Sequence, residues 1–347
     1  MHHVGPIELY TLRLMTIPPL KFVVPPEAAG QRLDRFVSVH SREISRTRVQ
    51  ELIEGGLVTL NGKPAKDSQK VRSADVVEVT PTPRPAMRAE AEHIPLDILY
   101  EDDDLIAVDK AAGMTVHAGA GNSRGTLVNA LLGRGQALSQ GGDPLRPGIV
   151  HRIDKETSGI LLVAKNDFAH AKLADAFRER KVQKTYLALL HGALPEDGGR
   201  IELPIARDPV RRNRMTARRA ASLPNARQAR TDWRALARID STTLVEVHLH
   251  TGRTHQIRVH FSALRHPVVG DTLYGASSQL QVADTSLPPL GRNFLHAAKL
   301  GFQQPRTGQP IQLTAPLPIE LRAYLSKLAA AAGESPSRID AALKGFL

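Results

Sequence analysis

Three prolines at alternate positions, Pro81, Pro83 and Pro85, interrupt both kinds of regular structure. Each lacks an amide hydrogen and has a fixed φ, so neither a helix nor an inner strand runs through them. With the alanine- and charge-rich residues that follow, they mark a linker over 81–94. A chain of 347 residues is already longer than one compact core comfortably fills. The expected organisation is therefore a leader at 1–21, a small domain at 22–80, the linker, a large domain at 95–325 and a tail at 326–347. The leader lacks the continuous apolar core of a secretory signal, and Met15 offers an alternative start.

The small domain reads as an α+β unit. Leu33, Phe36 and Val37 fall at i, i+3, i+4, as do Val49, Leu52 and Ile53, which predicts two short amphipathic helices. Ser45 is placed to cap the second, and Gly55-Gly56 ends it. Leu57 to Leu60 then runs into Asn61-Gly62, the strongest short hairpin signal, and Val76 to Val79 supplies a later strand.

From Pro95 onward the chain is dominated by strand signals. Asp104 to Val108 and Ile160 to Ala164 are apolar runs of buried-strand length, and Leu244 to Leu249 alternates apolar and polar residues. Leu173 and Phe177, with Ala169 and Ala176, predict one helix after Asn166-Asp167; another begins near Glu320. The alanine-rich end, Ala329 to Leu347, reads as loosely packed.

Composition narrows the function. The absence of cysteine excludes disulfide scaffolds, iron–sulfur clusters, thiolate zinc sites and cysteine nucleophiles. No apolar run approaches the ~20 residues that cross a bilayer, so no membrane partner and a cytoplasmic location are expected. The net charge of +11 favours a polyanionic partner such as nucleic acid.

Three segments carry chemistry. Gly148 to Gly159 contains Asp154, a carboxylate flanked by bases and followed directly by a buried strand, which holds it at the rim of the core. Taken alone, Asp154 reads equally as a turn cap or a structural partner of Arg152 or Lys155. Thr251 to His260 carries Arg253 just after a glycine at a strand end, within reach of a carboxylate, and Arg258 further on. By itself Arg253 reads as a solvated, phosphate-facing arginine. In Lys184 to Leu190, Tyr186 is by default a half-buried strand aromatic with its hydroxyl satisfied.

In combination and in this order, the segments His151–Gly159, Lys184-Thr185-Tyr186 and Gly252–His260 resemble the signature blocks of the RluA/RluD-type pseudouridine synthases. Tyr100–Asp103, His266–Asp271 and Leu295-His296-Ala297 add to the likeness. The segments Ser45–Gln50 and Val58–Lys63 are similar to an S4-type RNA-binding domain. The resemblance runs from about Phe22 to Leu325. It implies an α+β fold with a mixed, mainly antiparallel catalytic sheet behind a small S4-type domain. Ala111 departs from the family, which usually has proline after the lysine. His117 to Asn122 looks closest to the RluD branch, which implies large-subunit ribosomal RNA, free or in an assembling subunit, as substrate for a monomeric enzyme.

The resemblance also implies roles. Asp154 would act at the sugar, as a covalent nucleophile or as the base that assists glycal formation. Arg253 would pair with it, and Tyr186 would pack on the base and help to remove a proton. Leu295 would close the pocket, and Arg152 would fill the space vacated by a flipped-out uridine. No cofactor or metal is implied. Arg42, Arg46 and Arg48 in the small domain, and Arg212 and Arg214 within a run of eight arginines between Arg207 and Arg230, would contact phosphates.

Other readings are weaker. The isoleucine in His151-Arg152-Ile153-Asp154 breaks the kinase H-R-D pattern, and Gly119 to Gly125 misses the dinucleotide fingerprint. His248, His250, His255 and His260 lack the carboxylate-bearing helix motif of a zinc site. A non-catalytic RNA-binding assembly factor is the serious alternative, against which Asp154, Tyr186 and Arg253 are all present.

Overall fold

The computed structural model describes residues 19–41, 44, 46–66, 68–81, 90–117, 124–140, 146–211, 213–218 and 225–346, with only the backbone of 46–48. The chain divides into two compact units, Met1–Met87 and Arg88–Leu347.

In the first unit, β1 (Leu20–Val23) starts two residues ahead of the expected domain boundary. It is followed by α1 (Leu33–His40), α2 (Arg46–Glu54), β2 (Val58–Leu60), β3 (Lys63–Pro64) and β4 (Val76–Val79). The strands form an antiparallel sheet in the order β1-β4-β2-β3. Asn61 and Gly62 both have positive φ (52° and 74°), as the tight turn between β2 and β3 requires. The apolar residues of both helices close over the sheet with Phe36 fully buried, a contribution of about 1.5–3 kcal/mol for such a side chain. Buried Asp34 ties the helices together by accepting from Gln50 of α2 (2.9 Å) and from Arg32 (3.1 Å).

The second unit is built on a nine-stranded sheet. In chain order its elements are β5 (Asp97–Glu101), β6 (Leu105–Lys110), α3 (Leu127–Gly133), β7 (Ser158–Ala164), α4 (Asp167–Arg178), β8 (Gln183–His191), β9 (Gly198–Ile201), β10 (Ile205–Arg207), β11 (Met215–Ala217), β12 (Thr231–Ile239), β13 (Thr242–Leu249), α5 (Gln256–Ala263), β14 (Leu280–Val282), β15 (Thr285–Leu287), β16 (Leu295–Gln303), β17 (Pro310–Thr314), α6 (Ile319–Ala331) and α7 (Pro336–Leu343). The sheet order is β5-β6-β7-β16-β8-β13-β12-β9, with β17 also on β16; β10–β11 and β14–β15 are separate hairpins. Every ladder of the large sheet is antiparallel except β7–β16.

Alternation on the central strands explains their unbroken apolar runs. Leu161 and Val163 of β7 enter the core on one face, while Ile160, Leu162 and Ala164 enter a second cluster on the other. A strand covered on both sides has no polar face to show. Asn166 caps α4 by accepting the Ala169 amide (2.9 Å).

One expectation needs correction. The end of the chain is not loose: α6 and α7 bury Leu321, Leu325, Leu328, Ile339 and Leu343 in the main core, and Phe346 just beyond α7 joins them. Alanine spacers conceal that stripe in composition while leaving its helical spacing intact. After Arg253 the chain turns at His255 (φ 55°) into α5.

Candidate active site

The start of β8, the turn before β7, the start of β16 and the turn into α5 converge on a cleft of about 580 Å³. Asp154, Tyr186, Arg253, Arg152 and Leu295 all line it. Asp154 stands in the turn ahead of β7, closed by the Thr157 amide donating to the Asp154 carbonyl (3.1 Å). Its side chain keeps 18% of its exposure, so the carboxylate is held but reachable.

The turn is gripped from beneath. Fully buried Lys110 donates from Nζ to the carbonyls of Ala111 (2.7 Å), Met114 (2.9 Å) and Lys155 (3.0 Å). Burial pulls this ammonium down to about 7, against the charge of Glu156. Arg292 donates to the Glu156 carbonyl (3.1 Å) and to Ser158 Oγ (3.2 Å). On the approach side, His151 accepts the Leu162 amide at Nε2 (2.8 Å) and its ring stacks on Phe177 at 4.3 Å. Burial pushes His151 down to about 3, so the imidazole is neutral, with its proton on Nδ1.

The cation on Asp154 is Arg258, not Arg253. Arg258 donates from one terminal nitrogen to Asp154 Oδ2 (3.1 Å) and clamps buried Asp271 with Nε (2.6 Å) and its other terminal nitrogen (2.9 Å). Burial would lower this guanidinium, but Asp271 and then Asp154 outweigh it and hold Arg258 above the ordinary arginine value. Arg253 lies in the turn before α5. Its amide donates to Gln256 Oε1 (3.1 Å) and its Nε to the Gln228 carbonyl (3.2 Å), which draws the side chain to another wall of the cleft. The expected Arg253–Asp154 pair fails because the chain turns into a helix at His255, and the arginine inside that helix, Arg258, is the one that faces the carboxylate.

His255 brings Nε2 to 3.9 Å from Asp154. Its Nδ1 is 2.8 Å from the Tyr274 hydroxyl, which accepts the Met215 amide (2.8 Å). We assign the hydroxyl proton to His255 Nδ1, which leaves Nε2–H facing Asp154. Burial lowers His255, opposed by the charge of Asp154. Arg258, Asp271, His255 and Tyr274 were not singled out as a set from the sequence. The Arg-x-x-x-x-Arg spacing of Arg253 and Arg258 was the available signal.

Tyr186 lies on β8 between Ala297 of β16 and Val247 of β13. Burial, with a smaller effect from Asp154, pushes its hydroxyl well above the usual phenol range, so Tyr186 stays protonated. Leu295 opens β16 beside it and is buried. Arg152 is exposed at the cleft.

The phosphate contacts expected elsewhere are less visible. Arg42 and Arg212 lie outside the described residues, as do the side chains of Arg46 and Arg48. Arg214 lies over the Tyr274 ring at 5.4 Å and 3.4 Å from Asp208. Among the described residues no group of three or more histidine, aspartate or glutamate side chains converges to hold a metal. His250 instead pairs with Asp232 (3.0 Å), and His260 meets Thr231 and the Leu203 carbonyl (both 2.9 Å).

Residues 104–263 match the RNA pseudouridylate synthase family, and residues 31–77 match the S4 domain. The RNA pseudouridine synthase YlyB of Bacillus subtilis is 40% identical over 87% of this chain and 95% of its own length. An RNA pseudouridine synthase of Chloroflexus aurantiacus is 46% identical over 88% and 92%. The chain belongs to the RNA pseudouridine synthases. Its catalytic-fold likeness extends to human RNA Pseudouridylate Synthase Domain Containing 1, with a TM-score of 0.53 and 29% identity over 71% of this chain and 98% of that one. The ribosomal large subunit pseudouridine synthase D of Xanthomonas campestris is 41% identical over 88% and 91%. As a pseudouridine synthase the protein acts on RNA, isomerising uridine to pseudouridine, with an S4 domain ahead of the catalytic unit. No described helix is long and apolar enough to cross a membrane.

Proposed function

We propose that this pseudouridine synthase modifies uridines of large-subunit ribosomal RNA in the cytoplasm, acting as a monomer, and that Asp154 is its reacting group. The single observation that carries the site assignment is the reachable Asp154 carboxylate between Arg258 and Tyr186 at the cleft. The relative from Xanthomonas campestris, named for the large ribosomal subunit, supports the choice of RNA.

The reaction breaks the bond from N1 of uracil to C1′ of the ribose, rotates the base and joins C5 to C1′. The C5 hydrogen leaves as a proton and N1 ends protonated, so nothing is oxidised or consumed. Asp154 serves either as the nucleophile at C1′ or as the base that takes a ribose proton to form a glycal. Both routes use a carboxylate, and Arg258 orients it through a charge-assisted bond. The ring of Tyr186 supports the base. Its hydroxyl is protonated at neutral pH, so it joins the C5 proton transfer only if another group accepts its own proton. Leu295 closes the apolar wall, and Arg152 fills the stack from which the uridine is everted at a cost of a few kcal/mol.

The test is tritium release from large-subunit ribosomal RNA labelled at uracil C5. Wild-type protein should release label, and Asp154→Asn should release none while still binding RNA. Release by Asp154→Asn at the wild-type rate would remove Asp154 from the chemistry.

A further inference from the structure

The cleft does not end at Asp154. It continues past Tyr186 to the C-terminal end of α4, where Arg180, Lys184 and Arg253 line its wall. They come from three separate elements. Lys184 precedes Tyr186 by two positions on β8, so both side chains leave the same face, about 7 Å apart along the strand. Arg180 ends the turn after α4 with φ 61°, and Arg253 comes from the turn before α5.

Among the described residues no carboxylate answers these three cations. The nearby acids are taken: Asp175 pairs with Arg178 (2.6 Å) and Glu179 with Lys181 (2.6 Å). Among the described residues the Arg253 side chain meets the Gln228 carbonyl and no carboxylate, and Asp154 is held by Arg258. The charges also act on one another. Burial lowers Arg253, and Arg227 and Arg180 lower it further; burial, with Arg180, brings Lys184 down to about 8. Like charges gathered in a partly desolvated wall are unfavourable until an anion joins them. The negative end of α4 accounts for Arg178, not for cations delivered by β8 and the α5 turn.

We propose that Arg180, Lys184 and Arg253 form a phosphate-binding arm of the cleft that takes the RNA backbone next to the target uridine. This rests on Asp154 and Tyr186 marking the position of that uridine. With the base on Tyr186, the strand leaving the nucleotide meets Lys184 first, and Arg180 and Arg253 flank it. Arginine 253 is then a binding residue, not the partner of the reacting carboxylate.

The probe is fluorescent pentauridylate, with binding to the full-length protein followed by anisotropy as salt is varied. The Arg180→Gln/Lys184→Gln/Arg253→Gln protein should bind about 100-fold more weakly, and its log–log salt slope should fall by about 2, near 0.7 for each lost contact to single-stranded RNA. Arg322→Gln, a distant exposed arginine paired with Asp340, should match wild type. Replacing the central phosphates of the probe by neutral methylphosphonates should weaken wild-type binding and leave the triple variant nearly unaffected. If the triple variant does not fold, exposed Arg180→Gln alone should lower the slope by about 0.7. Equal affinities of wild type and variant, absence of binding by both included, overturn the proposal, as does inorganic phosphate displacing the probe at micromolar concentration, which would mark a site for a free oxyanion. Asp154→Asn separates the two ideas: it should bind pentauridylate like wild type, so an intact arm with an active Asp154→Asn protein would sink the catalytic assignment alone.

Discussion

Arg258 stands between two carboxylates and spends its three nitrogens unequally: two on Asp271, one on Asp154. The division requires a planar fork with fixed angles, which lysine lacks. A lysine at 258 reaches Asp271 or Asp154 but cannot orient both, and Asp154 then loses its position more than its partner's charge. Arg258→Lys should therefore lower the single-turnover rate of tritium release by about 100-fold or more while leaving RNA affinity within a few-fold. A rate within twofold of wild type would show that charge without geometry suffices. Sequence resemblance brought the right block and the wrong arginine of the two. Their separation of five residues spans a turn and the first turn of a helix, and the direction of each side chain depends on the left-handed conformation of His255.

At the scale of elements, the turn that carries Asp154 is fixed by how β7 meets β16. Gly159 pairs with Ala297 in the one parallel ladder of the large sheet and has φ 112°. A Cβ there would lie 2.3 Å from the Ala297 carbonyl oxygen and 2.7 Å from its nitrogen. Both the backbone conformation and the contact exclude a side chain, and the obstacle is main chain that cannot turn aside. Gly159→Ala should destabilise the catalytic unit by about 3 kcal/mol, which for a unit of this size lowers the melting temperature by about 8 °C. Activity below that temperature should also fall, since Leu295 and the Asp154 turn lie on the two strands being forced apart. An unchanged melting temperature would mean that the strands separate there at little cost. The β7 strand is legible as an apolar run and the start of β16 only through the resemblance of Leu295-His296-Ala297, but that the two lie side by side is not legible, because 138 residues separate the Ser158 and His296 side chains that bond across them.

For the whole molecule, the chain falls into an S4 domain and a catalytic unit. The S4 domain holds its own apolar core and hydrogen-bonded helix pair, and the catalytic unit holds every residue of the cleft. Removing residues through Thr80 should weaken binding to ribosomal RNA and flatten its salt dependence, while the catalytic unit keeps its melting transition. Identical salt slopes for the full and shortened proteins would exclude the S4 domain from phosphate contact.

What the amino-acid order determined by itself was local or compositional. Helical spacing placed α1, α2 and α4, the Asn61-Gly62 pair placed a turn, and apolar runs marked strands buried on both faces. The block around Asp154 pointed to the chemistry. The tertiary structure alone decided which arginine meets Asp154, that Asp271 braces it, that Arg253 joins Arg180 and Lys184 in lining one cleft, and that the alanine-rich end packs into the core. The reason is physical: periodicity and turn chemistry act over a few residues, whereas an ion pair or a cleft wall depends on the relative placement of strands brought together only by folding of the sheet.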